Sequence, residues 1–233
     1  PDVVSINLPE VITHRGTGGF VGIAKGAAFH MVVQSLSDLK YGAARMALKS
    51  TIHRLELDVA DIDHGNYGSF SLTLARHPSE TGERLMMRVL AFALHADPAL
   101  EFGRGISSED EPDLWLKDVT GAIRMWIDVG LPDERRLRRA AGRAERIVVI
   151  AYGGRAVDVW WEKGREALQR LPALTVLAIP FEAGREMAAF VDRSMRLQCT
   201  VQEQQVYLND DARSVLIEPA LLHERGAGQP ESS

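Results

Sequence analysis

Two aspartates, Asp113 and Asp128, have the neighbours and spacing of a site for a divalent cation. Asp113 opens the apolar segment "PDLWLK" and Asp128 lies near the end of "AIRMWIDVG", with the turn "DVTG" between the two segments. If the segments pair as antiparallel strands around that turn, the two carboxylates lie beside each other. Mg²⁺ prefers oxygen ligands and keeps several waters, one of which can attack phosphorus. The pair therefore predicts a candidate site for metal-dependent phosphodiester chemistry.

Each of these acids also has a purely structural interpretation. Asp113 follows a proline and can serve as an acid at the start of a strand. Asp128 lies among tryptophan, isoleucine and valine, so it either faces solvent on an edge strand or is paired, because burying an unpaired carboxylate is costly. Glu83, early in a predicted helix, is a third candidate carboxylate, although a glutamate there also stabilises the helix N-terminus. Its neighbours Glu80 and Arg84 are candidates for a salt bridge.

The elements that position these acids follow a definite order along the chain. Alternation in "STIHRLELDVAD" and "FSLTLA" predicts a β-hairpin, and "HPSETGERLMMRVLAFALHA" predicts a central, buried helix. Three short strands follow, in "LEFGRG", "PDLWLK" and "AIRMWIDVG". A helix in "PDERRLRRAAGRAE" and an apolar strand in "RIVVIAYG" come next. The predicted order across residues 79–151 is therefore helix, three strands, helix, strand.

The remaining segments predict further strands and helices. These are a strand in "AVDVWW", a helix in "EKGREALQRL", a strand in "LTVLAIP", a helix in "AGREMAAFVDRS" and a hairpin in "MRLQCTVQEQQVYLND". Adjacent strand residues face opposite ways, so at most one of Trp160 and Trp161 is free to stack on a base. The predicted fold class is α/β, of the α+β roll type, with a mixed central sheet and flanking β-hairpins.

The chain divides into three parts by composition. Residues 1–45 contain no sustained period of two or 3.6, whereas a regular alternation begins at Met46. We therefore expect residues 1–45 to be an N-terminal extension, either non-native upstream sequence or disordered, and residues 46–217 to form the folded domain. Residues 218–233 end in "ERGAGQPESS", a composition that predicts a flexible tail.

Composition and charge narrow the classes of function. The 233 residues are 45% hydrophobic and 25% charged, which is typical of one globular domain. They contain no apolar run of the roughly 18 residues that a membrane span needs, so we expect no membrane contact. A single cysteine, Cys199, excludes an internal disulfide and a cysteine-based zinc site, which predicts a cytoplasmic protein. The net charge of −5 disfavours nucleic-acid binding over the whole surface.

One predicted helix carries a local cluster of basic residues, although the whole protein has a negative net charge. The segment "PDERRLRRAAGRAER" carries six arginines, at positions 135, 136, 138, 139, 143 and 146. We predict nucleic-acid contact through Arg135, Arg136 and Arg139. Glu134 and Glu145 lie among the arginines, so the alternative is an ordinary solvated helix face.

Several motifs resemble those of the YaeQ family of bacterial proteins. They are "MALKSTIHRLEL", "LTLARHPSETGERLMMRVLAFAL", "DEPDLW", "WIDVGLPDERR" and "VDRSMRLQ", and the resemblance runs from Met46 to about Leu216. The fold of that family is similar to the PD-(D/E)xK nuclease superfamily, whose core has the order helix, three strands, helix, strand. The resemblance thus implies a restriction-endonuclease-like core and Mg²⁺ as cofactor. It makes Asp113 the proline-linked acid, Asp128 the second acid and Glu83 the glutamate of the first helix.

The sequence departs from that pattern at one position. In the superfamily a lysine follows the second acid by two positions and orients the attacking water or stabilises charge on the phosphate, but here Gly130 occupies that position. Arg135 or Arg136 in the following helix is the candidate replacement. An arginine clamps a phosphate well, but it stays protonated and cannot act as a base.

The residues and the resemblance leave three functions open. The first is a Mg²⁺-dependent phosphodiesterase acting on DNA or RNA, with Glu83, Asp113 and Asp128 as catalytic groups and metal ligands. The second is the same fold without turnover, which binds nucleic acid or a transcription or repair partner through the basic helix. The third is a structural or interaction module that binds neither metal nor nucleic acid, which fits the acidic overall charge.

Overall fold

The computed structural model of the protein describes residues 50–104 and 110–224. The extension predicted for residues 1–45, the domain start at Met46 and residues 225–233 of the predicted tail lie outside the described residues. None of the helices in the described ranges combines the length and the apolar character that a membrane crossing requires.

Eleven strands and four α-helices account for the regular structure of the described residues. The elements are β1 (Thr51–Asp61), β2 (Asn66–Arg76), α1 (Gly82–Leu94), β3 (Leu100–Phe102), β4 (Leu114–Lys117), β5 (Ile123–Val129), α2 (Glu134–Ala141), β6 (Ala144–Ala151), α3 (Arg155–Leu168), β7 (Leu174–Ala178), α4 (Phe181–Met187), β8 (Ser194–Gln202), β9 (Gln205–Asn209), β10 (Ser214–Ile217) and β11 (Ala220–Glu224). A 3₁₀ turn, Ala188–Phe190, follows α4. The predicted order helix, three strands, helix, strand is present as α1, β3 to β5, α2 and β6.

The strands form two mixed sheets. The five-stranded sheet has the order β10-β9-β8-β1-β2, and the six-stranded sheet has the order β11-β7-β6-β5-β4-β3. In the first, β1 and β8 run parallel, and in the second β5, β6 and β7 run parallel. The fold is α/β as predicted, but the two expected hairpins do not merely flank a central sheet. They join through β1 and β8 into a sheet of their own, a long-range pairing that local alternation does not reveal.

Helix α3 corrects the predicted strand in "AVDVWW". The alternation in that segment fits a strand, yet Arg155–Leu168 is one continuous helix whose buried residues are Val157 and Leu168. Gly153 and Gly154, with φ of 116° and 60°, turn the chain out of β6 immediately before the helix. Trp160 and Trp161 are therefore neighbours on a helix, and both pack against the core as half-buried side chains. The predicted arrangement of these tryptophans, on opposite faces of a strand, is wrong.

Residues 220–224 differ from the flexible tail predicted from residue 218. They form β11, which pairs antiparallel with β7 at the edge of the six-stranded sheet. The segment "ALLHE" is short and lies close to a polar, glycine-containing terminus, so composition averaged over the whole tail hides it.

Two hydrophobic cores lie on opposite faces of the six-stranded sheet. The first core surrounds α1 and includes the inner residues of the five-stranded sheet. Every residue of α1 from Leu85 to Ala93 is buried, which confirms the predicted buried helix, and this run includes the charged residue Arg88. The second core lies under α2 and α3. Strand β5 serves both cores, because Met125 and Ile127 face the first and Trp126 faces the second. The candidate site lies where β5 ends between these two cores.

Candidate functional site

Asp113 and Asp128 are neighbours across two antiparallel strands. Leu114 of β4 lies opposite Ile127 of β5. Asp113 precedes Leu114 and Asp128 follows Ile127, so in this antiparallel register the two aspartates are the next residues in the same direction. The Asp113 backbone N–H donates to the Ile127 carbonyl at 3.0 Å. Asp113 Oδ2 accepts from the Val129 backbone N–H at 2.8 Å. The antiparallel pairing expected around the turn therefore places the two acids next to each other, and both are buried, at 4% and 2% exposure.

The carboxylate of Asp113 is bound from α1. Arg84 Nη2 donates to Asp113 Oδ1 at 2.6 Å, and Arg88 Nε lies 4.0 Å from the same oxygen. Glu80, just before the helix, accepts from Arg84 Nη1 at 3.0 Å and from Arg88 Nη1 at 3.3 Å. Burial alone would lower the pKa of Arg84, but the charges of Asp113 and Glu80 and their hydrogen bonds raise it. These four side chains form a buried ionic network, and Arg84 and Glu80 are paired as their spacing suggests.

The carboxylate of Asp128 is bound from α2. Arg136 donates to it twice, from Nε to Oδ2 at 2.8 Å and from Nη2 to Oδ1 at 2.7 Å. Asp133 caps the helix by accepting from the Arg136 backbone N–H at 2.7 Å, which fixes the residue that carries this guanidinium. Burial raises the pKa of Asp128, and the hydrogen bonds from Arg136 oppose this increase. Of the two arginines proposed to replace the lysine, Arg136 reaches Asp128.

All four oxygens of the two aspartates accept hydrogen bonds, and the donors come from different directions. Arg84 and the Val129 N–H bind Asp113, whereas Arg136 binds both oxygens of Asp128. Residues 50–104 and 110–224 contain no group of three or more His, Cys, Asp or Glu arranged to hold a metal ion. With each oxygen already occupied by an N–H donor, the carboxylates as arranged do not fit Mg²⁺, which needs converging free oxygens.

Glu83 belongs to the same region but not to either ion pair. It lies in the first turn of α1, which Thr81 caps by accepting from the Arg84 backbone N–H at 3.1 Å. Its Oε1 atom is buried and has no hydrogen-bond partner among the described residues. Gly184 of α4 approaches this oxygen so closely that a Cβ there would lie 2.7 Å from it. Glu83 is therefore held against α4 and leaves one buried acceptor unsatisfied.

Tyr152, like Arg88, belongs to this region but was not predicted from the sequence. It follows the carboxyl end of β6, where ligands bind in many parallel α/β sheets. Burial raises its pKa, and the charges of Glu83 and Asp113 add to the increase while Arg84 opposes it. A polar aromatic directly after the apolar run "RIVVIA" was the signal available in the sequence.

Gly130, at the position of the superfamily lysine, has a backbone that suits glycine. Its φ is +114°, in the left-handed region that other L-residues rarely adopt. A Cβ added there would lie 3.9 Å from Tyr152 Cε1. The tyrosine ring thus packs beside the position from which the lysine side chain would extend.

The remaining arginines of α2 and its C-terminal side point outward. Leu137 and Ala140 bury the inner face of the helix, and its arginines at positions 135, 138 and 139 are exposed. Arg143 in the turn that follows and Arg146 in β6 are exposed as well. Arg138 pairs with Glu134, and Arg139 Nη1 lies 3.8 Å from Asp110 Oδ1. The Arg143 guanidinium lies 5.3 Å from the centre of the Trp126 ring. We call the four exposed arginines at positions 135, 138, 139 and 143 the α2 basic strip.

Comparisons with other proteins give consistent results. A family model described as "YaeQ protein" matches residues 46–219. "Uncharacterized protein YaeQ" of Escherichia coli (strain K12) is 41% identical over 170 residues, which cover 73% of this chain and 94% of that protein. The Salmonella typhi protein of the same name is 40% identical over 173 residues, or 74% of this chain and 96% of that protein.

Two solved structures are similar to this one. The crystal structure of YaeQ protein from Xanthomonas axonopodis pv. citri has 47% sequence identity and a TM-score of 0.74, and the match covers 75% of this chain and 99% of that chain. The crystal structure of YaeQ protein from Pseudomonas syringae has 37% identity and a TM-score of 0.72, with coverage of 76% and 98%.

Proposed function

The chain belongs to the YaeQ family, and from this premise we propose that it is a nuclease-fold protein that binds nucleic acid through the α2 basic strip without cutting it. The observation that carries the proposal is the pairing of both candidate metal ligands with arginines. Arg84 binds Asp113 and Arg136 binds Asp128. A metal ion would have to compete with these charge-assisted hydrogen bonds, which are among the stronger interactions that a carboxylate makes in a protein.

The glycine in place of the lysine supports the same conclusion. Gly130 offers neither a cation nor a proton donor, and the two candidate replacements behave differently. Arg136 is engaged with Asp128, with a side chain that is 21% exposed, while Arg135 is exposed on the outer face of α2. Neither supplies a base that can take a proton from a water beside the acids, because an arginine stays protonated.

The exposed arginines support the nucleic-acid part of the proposal. Phosphate contacts need cations on the surface, and the α2 basic strip concentrates them on α2 and the turn that follows it, in a protein with a net charge of −5. Arg135 makes no ion pair within residues 50–104 and 110–224, and the contact of Arg139 with Asp110 is long, at 3.8 Å. A nucleic-acid partner also agrees with the cytoplasmic location that we infer from the single, buried Cys199.

The direct test is the binding of a fluorescently labelled oligonucleotide, followed by anisotropy at several salt concentrations. With about three phosphate contacts on a duplex, the slope of log K against log salt is about −3. The double variant Arg135→Ala/Arg139→Ala is expected to bind at least about tenfold more weakly and to lose about two units of that slope.

A matched control removes two exposed arginines from the other sheet. Arg54→Ala/Arg196→Ala makes the same change in net charge on the outer face of the five-stranded sheet. We expect its affinity to stay within about twofold of wild type, because those arginines lie outside the strip. Equal loss in both double variants would show that net charge alone drives binding, and no binding by wild type would contradict the proposal.

A second candidate function, a Mg²⁺-dependent phosphodiesterase, is favoured by one observation. The buried Oε1 of Glu83 has no hydrogen-bond partner among the described residues, so this carboxylate has an acceptor to offer to a cation or a ligand. Calorimetric titration with Mg²⁺ and Mn²⁺ tests it, with Asp113→Asn/Asp128→Asn as the comparison. Heat of binding that the double variant loses would favour the phosphodiesterase. The binding proposal predicts no such heat in either protein.

A further inference from the structure

The exposed edges of the two sheets are protected to very different degrees. Among the described residues the edge strands are β2 and β10 of one sheet and β3 and β11 of the other. Strands β3, β10 and β11 have three, four and five residues, and β11 carries a register shift at Leu221 and His223. Short or bulged edges resist pairing with another chain. Strand β2 has eleven residues and pairs with β1 without a register shift.

The sequence of β2 also lacks the usual protection of an edge. From Tyr67 to Ala75 it reads "YGSFSLTLA", with no charged residue and no proline. Lysines, prolines and bulges are the devices that natural proteins place on such edges, and β2 has none of them in this stretch. Its exposed face carries hydroxyl side chains, whereas Phe70 and Leu72 on the other face are only half-buried against the first core.

We propose that β2 is a homodimer interface, in which two copies of the chain pair their β2 edges antiparallel about a two-fold axis at Ser71. The two five-stranded sheets then form one continuous ten-stranded sheet. A two-fold axis at the middle of Asn66–Arg76 aligns the full eleven residues of both strands. Each copy satisfies the outward backbone groups of the other, which residues 50–104 and 110–224 of one chain leave without a strand partner.

The side chains of β2 are complementary to themselves in this register. Phe70 lies opposite the partner's Leu72, so two half-buried apolar side chains cover each other. On the other face Ser69 lies opposite the partner's Thr73, and Ser71 meets the partner's Ser71. Cross-strand aromatic and aliphatic pairs and hydroxyl pairs are among those that stabilise sheets.

The charged side chains next to the β2 edge are also compatible with a second copy of the chain binding there. The nearest acids of the sheet, Glu56 and Asp58, lie on β1, one strand inside the edge, and accept hydrogen bonds from Ser71 and Ser69. In the dimer these acids are separated from their symmetry mates by the two β2 strands, so no like charges face each other. From Tyr67 to Ala75 the edge strand itself has no charged side chain to pair with a charged peptide, which favours an identical strand as the occupant.

The test is the mass of the full chain in solution, measured by sedimentation equilibrium over roughly 1 to 100 µM, a range that brackets a micromolar dissociation constant. We expect wild type to approach twice the 25.7 kDa chain mass as concentration rises. Ser71→Lys places two lysines opposite each other at the axis and is expected to remain monomeric, while Glu56 next to it accommodates the new charge within each copy.

Ser194→Lys is the matched control, because Ser194 is exposed on β8 inside the same sheet. This variant is expected to dimerise like wild type. A wild type that stays monomeric throughout, or a Ser71→Lys variant that still dimerises, would overturn the proposal. Hydrogen exchange of the β2 amides distinguishes a second copy at this edge from another segment of the same chain. The dimer protects them in step with the dimer fraction measured by sedimentation, whereas full protection in a protein that sediments as a monomer would mean that another part of the same chain covers the edge and that the proposal is wrong.

Discussion

Arg136 binds both carboxylate oxygens of Asp128, through Nε at 2.8 Å and Nη2 at 2.7 Å. The same Nη2 donates to the backbone carbonyl of Glu111 at 2.7 Å, so one guanidinium ties α2 to β5 and to the segment before β4. The acid is 2% exposed. A buried pair of this kind is costly to assemble, and removal of either partner is costlier still. Asp128 and Arg136 therefore form one unit, both in stability and in any role of the site.

Arg136→Ala is expected to lower the free energy of unfolding by about 3 kcal/mol, because it leaves Asp128 buried and without its charged partner. The neighbouring variant Arg135→Ala removes an exposed arginine and is expected to stay within about 0.5 kcal/mol of wild type. Urea denaturation measures both values. Similar stabilities for the two variants would mean that Asp128 readily finds another partner or water.

The raised pKa of Asp128 predicts a pH dependence of stability with a definite sign. Burial is the larger cause, and Arg136 opposes it. A carboxyl whose pKa is higher in the folded protein than in the unfolded chain binds more protons when folded. Its contribution is thus fully present below the unfolded pKa of 3.8 and is lost as pH rises through the folded value.

The measurement compares wild type with Asp128→Asn, which has no proton to lose. We expect the stability of wild type relative to this variant to increase when the pH is lowered from 7 to about 4. A relative stability that decreases over the same interval would show that the ion pair with Arg136 outweighs burial.

Gly130→Ala is expected to destabilise the protein by about 1 to 3 kcal/mol, because φ of +114° is strained for any residue with a Cβ. The space is available, since the added Cβ would lie 3.9 Å from Tyr152 Cε1, so the loss measures backbone strain. Gly142→Ala is the control. Gly142 has a φ of −82°, which alanine adopts easily, and the substitution is expected to be neutral or to stabilise by about 0.5 kcal/mol.

Cys199 provides a probe of the five-stranded sheet. Burial raises the pKa of its thiol to about 12, and the side chain is 1% exposed on β8. At pH 8 we expect no reaction with a thiol reagent such as Ellman's reagent in the native protein and full reaction in urea, because the thiolate is the reactive form. As the sequence contains one cysteine, a native protein that reacts within minutes would show that the sheet opens around β8.

The sequence predicts much of the fold because several elements have a clear period. Strands β1 and β2, helix α1 and the run from β3 to β6 all overlap the segments where the alternation and the caps predict them, although β2 begins earlier and α2 ends earlier than predicted. The strand predicted at "AVDVWW" is wrong, since four alternating residues at the start of a helix look the same as a short strand. The parallel pairing of β1 with β8 involves residues far apart in the chain, so no local sequence pattern predicts it.

The candidate site could be located from the sequence but not described in detail. The turn between β4 and β5 is enough to bring Asp113 and Asp128 together. Their ion pairs with Arg84 and Arg136 depend on how α1 and α2 pack on the sheet, which is a tertiary property. The left-handed backbone of Gly130 and the position of Tyr152 beside it likewise appear only in three dimensions.

The central claim is that the protein binds nucleic acid through α2 and does not cut it. The most direct measurement mixes the full chain with one labelled oligonucleotide, once in EDTA and once in Mg²⁺. Anisotropy measures binding, and a gel of the same samples then shows whether the oligonucleotide is cut. We expect that Mg²⁺ does not strengthen binding, since it only competes for the phosphates as a counterion, that Arg135→Ala/Arg139→Ala binds more weakly, and that the oligonucleotide stays intact. Cleavage in Mg²⁺ that Asp113→Asn/Asp128→Asn abolishes would contradict the account and identify a nuclease.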